Sequence, residues 1–139
     1  MKLLQGGGYI EVYGGWHNND SIRYNSSSGG AFSLLADSII EQGGIVFGCT
    51  LNEKMKAVHI CVDNKEELWK LRGSKYVQSE IRSTYNDVKQ NLELGRKVLF
   101  VGTPCQVAGL SAYLDEKEYS NLYKVDFICH GVPSPKVFA

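Results

Sequence analysis

The sequence predicts an α/β fold: a layered mixed sheet with helices packed on it and parallel strands near the C-terminus. Apolar runs with the length of buried strands alternate along the chain with segments of helical periodicity. Near the C-terminus, the runs at 97–101 and 122–128 flank one such helical segment. A strand–helix–strand unit of this kind forms a right-handed crossover between parallel strands, so at least two strands of the sheet are predicted to be parallel.

The first elements are defined by aromatic and β-branched residues and by glycine pairs. Residues 9–16 are predicted to form a strand, and a polar turn follows at 17–24. Residues 31–41 have one apolar helical face, and the Gly43-Gly44 pair ends that helix. Two further strands are predicted at 45–51 and 57–62.

The second half begins with a short helix at 65–71, capped by Asn64, and continues through a polar loop. A long helix is predicted at 80–94 and ends at Gly95. The remaining elements are a strand at 97–101, a helix at 105–114 and a strand at 122–128. The predicted order is therefore β-α-β-β-α-α-β-α-β, which suits one layered α/β domain.

The composition is that of an ordinary globular domain. Of the 139 residues, 43% are hydrophobic and 22% are charged, and Lys plus Arg balance Asp plus Glu at 15 each. Zero net charge argues against nucleic-acid binding driven by a basic surface. No apolar run approaches the ~20 residues of a membrane-spanning helix, and the N-terminus lacks the apolar run of a signal peptide. We therefore predict a cytoplasmic protein with no membrane span and no nucleic-acid partner.

The last residues have the pattern of a helix start, with Ser134 as the N-cap and Pro135 at the first position. A helix start is an unusual place for a domain to stop. We therefore expect residues 1–139 to form a single partial domain of a longer protein.

Two cysteines follow the last two predicted strands. Cys105 lies in Gly-Thr-Pro-Cys-Gln after the strand at 97–101, and Cys129 lies in Ile-Cys-His-Gly-Val-Pro-Ser at the end of the strand at 122–128. The carboxyl ends of parallel strands meet at one sheet edge, where α/β proteins bind ligands. The pattern of two thiols at this edge is typical of three kinds of site. One thiol acts as a nucleophile, or the two thiols form half of a zinc site or half of an iron–sulfur site. As a nucleophile, Cys105 would use His130 as its base.

Several other reactive or aromatic residues are predicted to be structural. Cys49 and Cys61 lie inside apolar strands, where buried packing is the expected role of a cysteine. Trp16 and Trp69 are expected in the core or at its edge. His59 alternates with apolar neighbours and is expected to face solvent.

Two polar loops suit an anionic ligand. The run Ser-Ser-Ser-Gly-Gly at 26–30 stands directly before the predicted helix at 31–41, where free N–H groups and the helix dipole favour a phosphate. In the second loop, Arg72 and Lys75 stand near Tyr76, a set that suits a cofactor with a phosphate and a ring. An ordinary serine N-cap and a solvated basic turn are the alternatives.

Four motifs follow one another along the chain. They are Asn-Ser-Ser-Ser-Gly-Gly-Ala-Phe at 25–32, Leu-Arg-Gly-Ser-Lys-Tyr-Val-Gln-Ser at 71–79, Gly-Thr-Pro-Cys-Gln-Val-Ala-Gly-Leu at 102–110, and Ile-Cys-His-Gly-Val-Pro-Ser at 128–134. Together they resemble the coenzyme F420 hydrogenase/dehydrogenase beta subunit family. Four motifs in the family's order are far more specific than any one of them, and the resemblance covers nearly the whole chain, from about residue 12 to residue 138.

The resemblance implies an oxidoreductase that holds FAD and a 4Fe–4S cluster. The residues expected to contact the flavin are Ser27, Ser28, Gly29, Gly30, Lys75, Tyr76, Thr103 and Gln106, and those implied to bind the cluster are Cys105 and Cys129. Family members supply a further Cys-x-x-Cys, which this sequence lacks. The remaining cluster ligands are therefore expected outside this chain.

The activity implied by the resemblance is electron transfer. Electrons would pass between a hydride carrier (the deazaflavin coenzyme F420 or a similar carrier) and ferredoxin or a redox partner subunit. Two alternatives stay open at this stage: a thiol enzyme that uses Cys105, and a non-catalytic fragment that folds but binds no cofactor.

Overall fold

The fold is described by a computed structural model that covers residues 13–133 and Val137. Its helices are α1 (Asp20–Tyr24), α2 (Ala31–Glu41), the 3-10 helix Lys65–Leu71, α3 (Thr84–Glu93) and α4 (Pro104–Tyr113). Its strands are β1 (Ile45–Leu51), β2 (Ala57–Val62), β3 (Val98–Gly102) and β4 (Leu122–Asp126). The predicted strand positions 9–12 and the predicted helix start at 134–135 lie outside the described residues.

One four-stranded sheet, in the order β2-β1-β3-β4, forms the middle layer of the fold. β2 runs antiparallel to β1, whereas β1, β3 and β4 are parallel neighbours. The prediction of a mixed sheet with parallel strands near the C-terminus is confirmed. Because α4 connects β3 to β4, this pair forms the predicted parallel crossover.

Helices pack on both faces of the sheet because its central strands are apolar on both sides. On one face, α3 and α4 pack over β1 and β3, and the buried residues are Ile45, Phe47, Val88, Leu92, Val98, Phe100, Leu110 and Leu114. On the other face, α2 and the 3-10 helix pack on the sheet, and the buried residues are Ala36, Ile39, Val46, Val62, Leu68, Leu71 and Leu99. Neighbours in a strand point to opposite faces, so β1 contributes to both cores.

The N-terminal end of the described chain differs from the prediction. Residues 13–16 are irregular and not part of a strand, and they contain the pair Gly14-Gly15, whose backbone freedom opposes a strand. The predicted polar turn at 17–24 contains the helix α1. The Asn19 side chain caps this helix by accepting the Ile22 N–H at 3.2 Å.

The helix predicted at 80–94 is shorter in the structure, where α3 begins at Thr84. Glu80 is instead paired with the edge of β2. Its N–H donates to the Ala57 carbonyl at 2.9 Å, and its carbonyl accepts the His59 N–H at 3.1 Å. Long-range backbone pairing thus overrides the local helical pattern. The last strand is also shorter than predicted, since β4 ends at Asp126.

Both tryptophans predicted in or near the core are exposed, Trp16 by 65% and Trp69 by 64%. Trp69 lies on the 3-10 helix beside two buried residues, Leu68 and Leu71. A 3-10 helix repeats every three residues, so Leu68 and Leu71 share its inner face and Trp69 points outward. Trp16 lies in the irregular segment at 13–16.

His59 and Cys61 on β2 lie in environments opposite to those predicted. Cys61 is exposed and lies on β2, an edge strand of the sheet. His59 is only 6% exposed, and its ring stacks on Phe100 of β3 with the ring centroids 5.5 Å apart. Cys49, which pairs with His59 across β1 and β2, is half-buried.

Candidate functional site

The carboxyl ends of β1, β3 and β4 lie along one edge of the sheet because these three strands are parallel. Gly102 of β3 pairs with Asp126 of β4. Cys105 lies three residues after Gly102, and Cys129 lies three residues after Asp126. Both cysteines are exposed. The structure therefore brings the two cysteine turns to the same edge, which is where α/β sheets bind ligands.

Each of these two thiols has a polar neighbour. Thr103 Oγ1 and Cys105 Sγ are 3.1 Å apart at the start of α4, and Cys129 Sγ accepts the Gly131 N–H at 3.4 Å. Cysteine binds a metal as its thiolate, and both cysteines are exposed to a ligand. Within residues 13–133, His130 makes no hydrogen bond to Cys105, so the geometry lacks the nucleophile–base pair of a thiol enzyme.

The Ser-Gly loop at 26–30 and the basic loop around Lys75 are in direct contact. Ser27 Oγ accepts the Ser74 N–H at 2.9 Å and the Ser74 hydroxyl at 3.0 Å. Ser27, Ser28 and Ser74 are all exposed. Two loops that the sequence separately predicts to bind an anion thus form one continuous polar surface.

Two glycines let the Ser-Gly loop pack closely on the segment before α1. The His17 N–H donates to the Gly29 carbonyl at 2.7 Å. Gly30 has a φ of 82°, and a Cβ built there would lie 2.9 Å from His17 Cβ. Gly30 is also the N-cap of α2 and offers no side-chain acceptor. No side chain caps the first-turn N–H groups of α2, which is the feature of this helix that suits an anion.

Lys75 is a half-buried cation in the basic loop. Its Nζ donates to the Arg72 carbonyl at 2.7 Å, and burial lowers the pKa of its ammonium. Arg72 Nε in turn donates to Ser33 Oγ at 2.9 Å, which ties the loop to α2. Burial raises the pKa of the Cys49 thiol, and the nearby Lys75 charge opposes that rise. Tyr76 is 77% exposed, so its ring is accessible to a ligand.

A series of side-chain hydrogen bonds links β2 to the start of α4. The Thr103 N–H donates to Gln106 Oε1 at 3.0 Å, and Gln106 Nε2 donates to Ser79 Oγ at 2.8 Å. Ser79 Oγ and His59 Nδ1 are 2.9 Å apart, and His59 Nε2 and Val101 O are 3.2 Å apart. The Gln106 amide, a predicted cofactor contact, is thus engaged with groups of the chain itself.

Sequence reasoning did not identify His59 or Ser79 as part of this edge. Ser79 closes the motif at 71–79, and the alternation in β2 places His59 on one face of a strand. Neither signal indicates that the two side chains meet, because their contact depends on how the loop folds back over β2.

Two family models match the chain: "Coenzyme F420 hydrogenase/dehydrogenase, beta subunit N-term" over residues 12–85, and the C terminus of the same beta subunit over residues 95–139. The chain belongs to this family. A solved structure of the F420-reducing [NiFe] hydrogenase complex from Methanosarcina barkeri has a similar fold, with a TM-score of 0.69 at 20% sequence identity. That match covers 88% of this chain and 45% of the other, so the chain spans less than half of that relative. No curated protein sequence matches the chain.

The two family segments meet at the site. The segment at 12–85 supplies the contact between the two polar loops, and the segment at 95–139 supplies both cysteine turns. The hydrogen bond between Gln106 and Ser79 joins one segment to the other. In this family member, both segments therefore contribute to a single edge of one sheet.

The side chains present limit which metal ligands the site can supply. In the described part of the chain, no group of three or more His, Cys, Asp or Glu side chains could hold a metal ion. Cys105 and Cys129 are thus at most part of a ligand set, because a 4Fe–4S cluster has four ligands.

Among the helices at 13–133, none is long and apolar enough to cross a membrane.

Proposed function

We propose that this chain is a flavin- and iron–sulfur-dependent oxidoreductase domain. It passes electrons between a hydride carrier (coenzyme F420 or a similar carrier) and ferredoxin or a partner subunit. Membership of the F420 hydrogenase/dehydrogenase beta subunit family supports redox chemistry. The observation that supports a cofactor site most directly is the pair of hydrogen bonds from Ser74 to Ser27, since it unites the two loops suited to an anion.

The residues of the united loops fit the phosphate end of FAD. The Ser27 and Ser28 hydroxyls are exposed. Gly29 and Gly30 lead directly into the first turn of α2, which no side chain caps. Lys75 supplies a positive charge that is partly shielded from water, which strengthens its attraction to a phosphate. When bound, FAD supplies hydride and single-electron transfer.

Other residues at the edge fit the remaining parts of the cofactor set. The exposed ring of Tyr76 can pack against the flavin, and Thr103 lies beside Cys105 at the start of α4. Cys105 and Cys129 would supply two thiolates to a 4Fe–4S cluster, and groups outside this chain would supply the rest. The four cysteines are free thiols, which suits the reducing cytoplasm, where we place the protein.

The test is cofactor binding by the chain purified without oxygen. FAD is titrated into the protein while flavin fluorescence is followed. Iron, sulfide and a small thiol, which can take the place of the ligands expected outside the chain, are then added, and bound iron is measured by absorbance and EPR. Lys75→Met is expected to weaken FAD binding about tenfold, the effect of losing one charge-assisted hydrogen bond. The matched control is Lys70→Met, which removes a cation of the 3-10 helix that pairs with Glu67. The proposal is overturned if the wild-type chain binds neither flavin nor iron.

A further inference from the structure

The hydrogen bonds that run from His59 to Thr103 have one allowed direction. The Val101 carbonyl can only accept, so His59 Nε2 must carry the proton that it shares with that oxygen. In the neutral ring, Nδ1 is then an acceptor, and the Ser79 hydroxyl must donate to it. The Ser79 oxygen accepts from the Gln106 amide nitrogen, and the Gln106 amide oxygen accepts the Thr103 N–H.

The His59 end of this series is fixed in the core. His59 is 6% exposed and Ser79 is 8% exposed. The imidazole lies nearly parallel to the Phe100 ring, at an interplanar angle of 15°. Burial also lowers the pKa of His59, which keeps the ring neutral near pH 7 and preserves the direction of the bonds.

The Thr103 end of the series lies at the turn that precedes α4. Gln106 Oε1 holds the Thr103 N–H at 3.0 Å, and Thr103 Oγ1 lies 3.1 Å from Cys105 Sγ. A rotation of Thr103 would therefore change the immediate surroundings of the thiol. Hydrogen bonds around a ligating sulfur tune the electronic properties of an iron–sulfur cluster.

We infer that His59 is a positioning residue for the Cys105 turn, acting through Ser79 and Gln106 to fix the orientation of Thr103. The importance of that turn for electron transfer rests on the proposed function, whereas the positioning itself belongs to the folded chain. Both can therefore be tested separately.

The positioning is tested on the ¹⁵N-labelled full chain without cofactors. Long-range ring correlations in NMR report the His59 tautomer, and hydrogen exchange reports the Thr103 amide. We expect the Nε2–H tautomer in the wild type. Ser79→Ala is expected to remove the donor to Nδ1, which shifts that resonance, and to speed Thr103 exchange about tenfold. In Gln106→Glu, which keeps the side-chain shape, the carboxylate still accepts the Thr103 N–H, so exchange of that amide should not become faster. A carboxylate cannot donate to Ser79 and draws its hydroxyl away from His59, so the Nδ1 resonance should shift.

The control is Tyr85→Phe, because the Tyr85 hydroxyl donates to the Gln106 carbonyl at 2.8 Å and takes no part in the series. This variant should leave the His59 tautomer and the Thr103 exchange rate unchanged. An Nδ1–H tautomer in the wild type would overturn the inference. So would unchanged Thr103 exchange in Ser79→Ala, or an unchanged His59 Nδ1 resonance in Gln106→Glu.

The link to the redox site is tested after reconstitution with iron, sulfide and the small thiol that replaces the missing cluster ligands. Ser79→Ala is expected to change the EPR spectrum of the bound cluster, and Ser79→Thr, which keeps the hydroxyl, to restore it. Identical spectra for wild type and Ser79→Ala would overturn the link to the cluster ligand. If the wild type binds no iron, the proposed function fails, and the NMR measurements still decide the positioning role.

Discussion

Ser27 accepts two hydrogen bonds from Ser74, one from its N–H at 2.9 Å and one from its hydroxyl at 3.0 Å. Ser27 stands before α2, whereas Ser74 follows the 3-10 helix, and both elements pack on the same face of the sheet. The shared face explains how the two loops reach each other. Ser27 and Ser74 are both exposed, so a ligand at the surface can contact the two loops together.

The first prediction concerns this contact. Ser27→Ala is expected to weaken FAD binding about tenfold, because it removes the acceptor that holds the second loop in place. Ser74→Ala should have a smaller effect, because it removes only the hydroxyl bond and keeps the Ser74 N–H as a donor to Ser27. The double variant should be little worse than Ser27→Ala, which already loses both bonds. The measurement is fluorescence titration with FAD. Ser21→Ala, on the exposed face of α1, is the control. Fully additive effects would show that the two serines act independently.

The second prediction concerns the close approach at Gly30. Gly30 and Gly43 have similar positive φ values, 82° and 74°, but only Gly30 has an atom closer than 3 Å to the position of a Cβ. Gly43→Ala should lower the free energy of unfolding by about 1–2 kcal/mol through backbone strain alone. Gly30→Ala should cost about 1–3 kcal/mol more, because the added methyl group overlaps His17. Urea denaturation measures both variants. An equal loss would mean that the His17 contact relaxes without cost.

The third prediction concerns the cysteines. Iodoacetamide should label Cys105 and Cys129 faster than Cys49, because Cys49 is half-buried and burial raises its pKa. Burial also raises the pKa of Cys61, but Cys61 is exposed, so its labelling should be faster than that of Cys49 and slower than that of Cys105 and Cys129. After reconstitution with iron and sulfide, Cys105 and Cys129 should become protected, whereas the exposed Cys61 should not. Mass spectrometry of the labelled peptides measures each rate. Protection of Cys61 to the same extent would indicate aggregation or nonspecific iron, and unprotected Cys105 would exclude it as a ligand.

The fold was largely predictable because its helices and strands are set by local patterns. The apolar face of α2 and the strand runs of β1, β2 and β3 lie where periodicity places them. The differences arise where a distant partner decides the structure. Glu80 lies in a segment whose sequence pattern predicts a helix, but its backbone forms hydrogen bonds with β2. The aromatic side chain of Trp69 predicts a place in or near the core, but the repeat of three residues in its 3-10 helix places Leu68 and Leu71 on the inner face instead.

The candidate site was predictable only in part, for a similar reason. The residue types and spacing of the Ser-Gly loop and of the cysteine turns indicate their chemistry directly. The role of His59 depends on the stacking with Phe100 and on the bond to Val101, which lies two strands away in the sheet. Strand order cannot be read from a single sequence, so an alternating pattern could not indicate which of its faces would be covered.

The fourth prediction is that stability falls between pH 6.5 and pH 5 because of His59. Burial holds the pKa of the folded histidine below its ordinary value of 6.5. Below pH 6.5 the unfolded chain therefore binds a proton that the folded chain does not, and the free energy of unfolding decreases as the pH falls. The decrease continues until the folded histidine also becomes protonated. One proton corresponds to a limiting slope of about 1.4 kcal/mol per pH unit, which is the steepest decrease that His59 alone can produce.

Urea denaturation at half-unit pH steps measures this slope, and two histidine variants assign it. His59→Gln should be less stable than the wild type at pH 7.5, because it loses the ring that stacks on Phe100, but its stability should change little between pH 6.5 and pH 5. His130→Asn removes an exposed histidine and should keep the wild-type slope. Carboxylates contribute little in this interval because their ordinary pKa values lie near 4. A slope that survives in His59→Gln would therefore assign the pH dependence to another histidine and would show that His59 is not held neutral by the fold.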